Sequence, residues 1–405
     1  MSEWPTTTLG EICRAGGGFI RTGPFGSQLH RSDYIEDPNG IPVVMPKDMA
    51  RGRIDTASIA RIDEETAGRL KQHLLSADDV VLSRRGDVGR TAWVFEEDLP
   101  AFCGTGSMRV HPGKSESVRP AYLRFFFHTK LASDYLEGHA VGATMPNLNA
   151  GIVERMPVPV PPLEMQDSLI AILEAFDDLI ENNRRRVEVL EEMARAIYRE
   201  WFVKFRYPGH ENVPLVDSAL GPIPDGWAAG TVGDVLELKY GKALKADARR
   251  GGEVAVISSA GVVGWHDESF VDGPAIVVGR KGNVGSVHWV DGPCWPIDTA
   301  YYVATELPLR FVVEQLRRTE FTNTHAAVPG LSREGAYARP FVTPPVALLD
   351  IYQTAADPLG IEASALSKQS DSLASLRDLL LPKLVTGQID VSTLDLDALV
   401  EDRVA

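Results

Sequence analysis

Basic residues sit at two matching turns, Ser83-Arg84-Arg85-Gly86-Asp87-Val88-Gly89-Arg90 and Gly279-Arg280-Lys281-Gly282-Asn283-Val284-Gly285. Arginine can fork onto guanine O6 and N7 or hold a phosphate, and asparagine can pair with adenine. Arg84, Arg85, Arg90, Arg280, Lys281 and Asn283 are therefore candidates for DNA contact. The alternative is a structural turn whose arginine pairs with Asp87 or with backbone carbonyls. A second candidate surface combines Arg21, Ser27, Gln28, His30 and Lys47, from the stretches around GSQLHR and PKD. Lys242 and Lys245, near Lys239, Arg249 and Arg250, are its rough counterpart in the second half; single lysines there are equally readable as solvated surface. The chain has no G-x-x-x-x-G-K-[ST], no H-E-x-x-H and no G-x-S-x-G, and its histidines lack ligand spacing. The glycine-rich stretch Ala15–Gly23 reads as a loop, and 279–285 as a hairpin between strands, not a nucleotide cradle.

A net charge of −15 argues on its face against nucleic acid. Its distribution softens the objection. Residues 1–155 carry 18 basic against 20 acidic side chains, whereas residues 344–405 carry 4 against 10. A more basic partner is expected to supply part of any phosphate grip. The N-terminus lacks a secretory pattern, no stretch has the roughly 20 apolar residues that span a bilayer, and Cys13, Cys103 and Cys294 read as buried thiols of a cytoplasmic protein.

The elements that would position these residues are written twice. WPTTTLGEI at 4–12 returns as WAAGTVGDV at 227–235, VLSRRGDVGRTAWV as VVGRKGNVGSVHWV, and ATMPNLNAG at 143–151 as AAVPGLSRE at 326–334. Order is kept while the offset falls from 223 to 183, so the second copy is the shorter. Each copy reads as β-rich, with GIPVVM, DDVVLS and TAWVF in the first and EVAVIS, AIVVG and GSVHWV in the second. A helix is expected near Arg119–Leu136 and another near Leu309–Thr319.

After each copy comes a long helical stretch. In the first, Leu169, Leu173, Phe176, Ile180, Asn183, Val187, Leu190, Ala194, Ile197 and Trp201 step by four and three, the seam of a helix packed along another. Asn183 either fixes register against a partner helix or is solvated where the seam loosens. In the second stretch Leu373, Leu376 and Leu380 keep helical spacing, but Pro358 and Gly360 are expected to kink or break it. The expected class is α+β, with the two helices paired as an antiparallel coiled coil of pseudo-two-fold symmetry. Expected boundaries are 1–160, helix 161–206, linker 207–226, second domain 227–343, helix 344–390 and acidic tail 391–405.

With these marks the chain resembles the specificity subunits of type I restriction–modification systems. The resemblance rests on GPFGSQLHRSDY, GIPVVMPKDM, SRRGDVGR, FCGTGSMRV, GATMPNLN, PPLEMQ, LIENNRRRVEVLEEMARAIYREWFVKF and LLLPKLVTGQI. In the second copy AVPGLS and PPVALLD depart from it. The resemblance implies two target recognition domains, each reading half of a split asymmetric DNA site. It implies spacer helices that dock two methyltransferase subunits, with restriction subunits in the full complex. It also implies a chain without cofactor or catalytic role of its own, S-adenosylmethionine, ATP and Mg acting in partner subunits. The rivals are a modification-only or combined nuclease–methyltransferase system, an enzyme acting on a small molecule, and a coiled-coil scaffold that binds no DNA.

Overall fold

The computed structural model describes residues 4–50, 52–142, 146–321, 330–389 and 391. The chain forms two compact units, Met1–Glu181 with Ser370–Ala405, and Asn182–Gln369. Parts of the repeated motifs (143–145 and 326–329) and the acidic tail beyond Val391 lie outside the described residues.

In the first unit, apolar runs too short for helices form the central sheet. Its strands are β1 (Gly17–Thr22), β2 (Val80–Ser83), β3 (Thr91–Trp93) and β4 (Ser107–Gly113), antiparallel in the order β1-β4-β2-β3. Val80 and Leu82 face one core with Met108, Val110 and Tyr122, while Val81 and Ala92 face another with Val44 and Cys103. Burial on both faces explains why β2 reads as continuous Val-Val-Leu without alternation. The glycine-rich stretch after Ala15, expected as a loop, is strand β1. Paired with β4 along most of its length, its backbone finds the ladder partners that a loop would lack.

Helix α1 (Leu9–Ala15) begins at Thr8, whose hydroxyl accepts from the Glu11 N–H while the Glu11 carboxylate accepts from the Thr8 N–H. The helix expected over 119–136 is two, α2 (Pro120–Phe127) and α3 (Lys130–His139). Thr129 divides them by accepting from the Ala132 N–H, taking the role of an N-cap.

The second unit repeats the plan. Strands β5 (Glu237–Tyr240), β6 (Ala275–Gly279), β7 (Val287–Val290) and β8 (Ala300–Ala304) lie in the order β5-β8-β6-β7, the same order as in the first. Each unit also has a parallel strand pairing beside that sheet, Phe102 with Val43 and Val256 with Trp295. Helix α4 (Leu309–Arg318) packs as α2 does, with Phe311, Val312 and Leu316 buried. The expected linker is partly packed: Tyr207 and Ile223 are buried with Trp227, and Leu215–Val216 pairs with Ile223–Pro224.

The first long helix spans Leu163–Tyr198 and continues through one wider π-helical turn, Arg199–Val203. The second spans Val346–Val385 without a break at Pro358 or Gly360, contrary to the expectation. Its inner face explains this: Tyr352, Ala356, Ala363 and Leu366 are all buried, and that packing holds the backbone across the missing N–H of Pro358, which is on the exposed side. Gly360 marks a close approach rather than a hinge, since a Cβ there would fall 1.8 Å from the Arg310 guanidinium.

In the first unit Leu169, Leu173 and Ile180 are buried and Phe176 is half-buried; Leu169 and Leu173 share a core with Leu381, Leu384 and Val385 of the second helix. In the second unit Asn183 is buried and donates to Gln369 Oε1 at 3.0 Å, while Arg186 meets Glu362. As one number rises the other falls, so the helices are antiparallel. Asn183 is therefore buried on the seam and bonded across it, not solvated where the seam loosens. Further along, Val187, Leu190, Ala194, Ile197 and Trp201 are only half-buried, and Tyr198 and Phe202 take the core positions. A straight helix drifts about 20° per heptad against a strict seven-residue seam, which over four heptads approaches one residue. Leu373 and Leu380 are half-buried, whereas Leu376 is on the outer face.

Candidate nucleic-acid interface

The basic turns occupy one corner of each unit, and the same backbone contacts hold them. In the first unit the Arg84 N–H donates to the Gly106 carbonyl at 2.8 Å and the Arg84 carbonyl accepts from Leu148 N–H at 2.9 Å. In the second, Arg280 N–H donates to Thr299 and its carbonyl accepts from Leu331 N–H. Beside each turn a glycine leaves the edge of the sheet. A Cβ on Gly23 would lie 2.1 Å from the Gly104 carbonyl, and one on Gly241 2.2 Å from that of Ile297, so both positions exclude any side chain. The corner is therefore built by main-chain contacts that survive the sequence divergence of the copies.

Each corner presents an arginine over an aromatic ring. The Arg84 guanidinium lies 5.4 Å from the ring of Phe25, which is 55% exposed. Arg280 lies 4.9 Å from the ring of Tyr240, which is 46% exposed. Arg84 is only 7% exposed, its Nε has no hydrogen-bond partner, and no carboxylate pairs with it among the described residues. Burial, with Arg85 next to it, holds its pKa below the usual arginine range. A desolvated cation without a counter-ion is costly, and an arriving acceptor relieves that cost.

The other sequence candidates fall into two groups. Arg85, Lys281 and Asn283 are exposed on the same turns. Arg90 is bound at 2.6 Å to Asp87, the structural pairing that the sequence left open. Gln28 is used locally, its Oε1 accepting from Phe25 N–H and so closing the turn that presents Phe25; Ser27 and His30 are exposed beside it. Arg21 donates to the Gln72 carbonyl and Lys47 to that of Ser58. Lys242 is exposed with its ammonium 5.4 Å from the Trp295 ring, Lys245 is exposed, and Arg250 is tied to Asp267 and Glu268. Phe25, Tyr240 and Arg333 were missed by sequence reasoning. A large aromatic between turn glycines, as in GPFGS, was the available signal for Phe25; strand alternation buries Leu238 and gave none for Tyr240.

A second arginine in each unit fastens the sheet domain to the long helices. Arg124 on α2 reaches Asp177 at 3.3 Å, and Asp177 also pairs with Arg377 at 2.6 Å. In the second unit Arg310 on α4 lies 3.5 Å from Asp357 and 4.6 Å from the Trp289 ring, as Arg124 lies 5.5 Å from that of Phe95.

The three cysteines are buried and unpaired, with burial pushing the Cys13 and Cys103 thiols up to about 12. Among the described residues no group of three or more His, Cys, Asp or Glu side chains is placed to hold a metal ion, and no helix is long and apolar enough to cross a membrane.

Comparison with known proteins agrees with this layout. Residues 1–192 match the family model described as the type I restriction modification DNA specificity domain. The type I restriction enzyme MjaIX specificity subunit of Methanocaldococcus jannaschii is 29% identical over 203 residues, 50% of this chain and 46% of that one. The HindI specificity subunit of Haemophilus influenzae is 23% identical over 207 residues, 51% of this chain and 42% of that one. The matched stretch thus spans less than half the length of these relatives. The crystal structure of a type I restriction–modification S subunit from M. genitalium superposes with a TM-score of 0.57 at 16% identity, covering 95% of this chain and 96% of that chain. Residues 1–192 of this chain are thus similar to the type I restriction modification DNA specificity domain, and the chain shares its fold with that S subunit.

Proposed function

We propose that this chain is the DNA-recognition subunit of a type I restriction–modification complex. Each sheet domain reads one half of a bipartite, asymmetric site, and the long helices set the half-site spacing and dock two methyltransferase subunits. The chain itself catalyses nothing. Methylation with S-adenosylmethionine, and ATP- and Mg-dependent translocation and cleavage, belong to partner subunits.

The observation that supports this reading is the repeated corner. Two domains of the same strand order each carry, on a turn locked by main-chain contacts, an arginine set over an aromatic ring from a neighbouring segment. Rigid presentation of a few basic side chains is what base-edge readout needs, and the turns differ in sequence as two different half-sites require. The outer faces of the helices carry exposed apolar residues, Val189 and Met193 on the first and Leu376 and Leu379 on the second, which suit partner subunits.

A domain exchange tests the reading. Residues 227–343 are replaced by the equivalent domain of another specificity subunit, and the methylated motif is read by sequencing. One half-motif should change while the other is retained. Loss or retention of both halves together, with methylation still active, would contradict one-domain, one-half-site reading.

A further inference from the structure

The second domain carries a cleft of about 710 Å³ beside its basic turn. At its centre Tyr240 lies under two guanidiniums, Arg280 at 4.9 Å and Arg333 at 4.7 Å from the ring centroid. Each arginine is aimed by a backbone carbonyl. Arg280 Nη1 donates to Asp298 at 3.0 Å, and Arg333 Nη1 is 3.5 Å from the carbonyl of Leu238. The tyrosine hydroxyls of the wall are already engaged, Tyr301 donating to the Leu331 carbonyl and Tyr337 accepting from Leu238 N–H. Lys281 adds an exposed third cation, and Glu334 is the one carboxylate among the described lining residues. Neither arginine forms an ion pair among the described residues. In a chain of net charge −15, three cations gathered against a single described carboxylate are not an average of the surface.

We propose that this cleft is a phosphodiester clamp: Arg280 and Arg333 grip one backbone phosphate of the DNA strand, and Tyr240 holds the two guanidiniums at a fixed spacing. This rests on the DNA-recognition reading above and assigns within it a role that positions the duplex without reading sequence. Arginine forks match phosphate oxygens in two directions at once, and the aromatic face offsets repulsion between the two cations. The excess positive charge of the cleft is then met by a phosphate when DNA is present.

The test measures binding of the full chain to two short fluorescent DNA duplexes of unrelated sequence, over a series of salt concentrations. Arg333→Gln should weaken binding to both duplexes equally and lower the slope of log affinity against log salt by about 1. Arg333→Lys, which keeps the charge, should retain the slope, and both variants should melt with the wild type. An unchanged slope in Arg333→Gln, with the wild type binding, overturns the clamp and leaves DNA recognition standing. A loss confined to one duplex overturns it in favour of a base contact. If the wild-type chain alone binds neither duplex, the series is repeated with the chain assembled with its neighbouring methyltransferase, and an assembled complex that binds neither removes the DNA reading and the clamp with it.

Discussion

Asp177 ties three elements together, and its removal has a calculable cost. Its carboxylate lies 2.6 Å from Arg377 on the second long helix and 3.3 Å from Arg124 on α2. Arg377 keeps Asp378 at 2.8 Å when Asp177 is gone, but Arg124, whose side chain is 9% exposed, keeps among the described residues only Glu174 at 3.9 Å. Breaking a fully buried pair costs about 3–5 kcal/mol, and an exposed one about 0–1. Asp177 is one-third exposed, so Asp177→Ala should cost about 2 kcal/mol. For a unit of this size that lowers the melting temperature by roughly 4–8 °C. The assay is a thermal melt in which the second unit, with its own core, serves as the internal reference. Combining Asp177→Leu with Arg124→Met removes both charges and should recover most of the loss. An Asp177→Ala melt unchanged within about 1 °C would show that the triad behaves as an ordinary surface pair and does not fasten α2 to the helices.

Three further outcomes follow from the geometry. Arg84→Ala with Arg85→Ala should weaken target DNA binding by the assembled complex while leaving assembly intact; unchanged affinity at moderate salt removes the pair from the interface. Phe202 packs 4.9 Å from both Phe311 and Tyr352, so Phe202→Ala should cost the second unit about 3–5 kcal/mol, read by urea denaturation. Hydrogen bonds from Thr7 and Thr8 hold the Glu11 carboxyl down at about 2, against 4.5 when unfolded. The stabilisation it gives α1 is therefore full above pH 4.5 and is lost as pH falls toward 2. Glu11→Gln should flatten that part of the acid-unfolding curve, and an identical acid limb would contradict it.

Much of the scaffold was legible because it depends on local pattern. Val80-Val81-Leu82 and Ala275-Ile276-Val277-Val278 are apolar on both faces, and the buried sheet centre demands that. The matching turns made the duplication visible before any contact was known. The second long helix was misread at Pro358 because a local propensity was weighed without the buried face of Tyr352, Ala356 and Ala363 that overrides it. The sites were less legible. Arg84 and Arg90 stand on the same turn and look alike in sequence, yet one is buried without a counter-ion among the described residues and the other is paired with Asp87. That difference comes from Gly106 and Leu148, which grip the Arg84 backbone from distant parts of the chain. Likewise Tyr240 and Arg333 meet only because β5 and the short helix Arg333–Tyr337 share one cleft wall, and no spacing rule links them.

The most direct test of the central claim is single-molecule methylation sequencing of DNA from a host expressing this chain with its neighbouring methyltransferase gene. The account predicts a split, asymmetric motif with one methylated base in each half. An assembled, active complex that leaves no such motif would contradict it, and would favour a helical scaffold that binds no DNA.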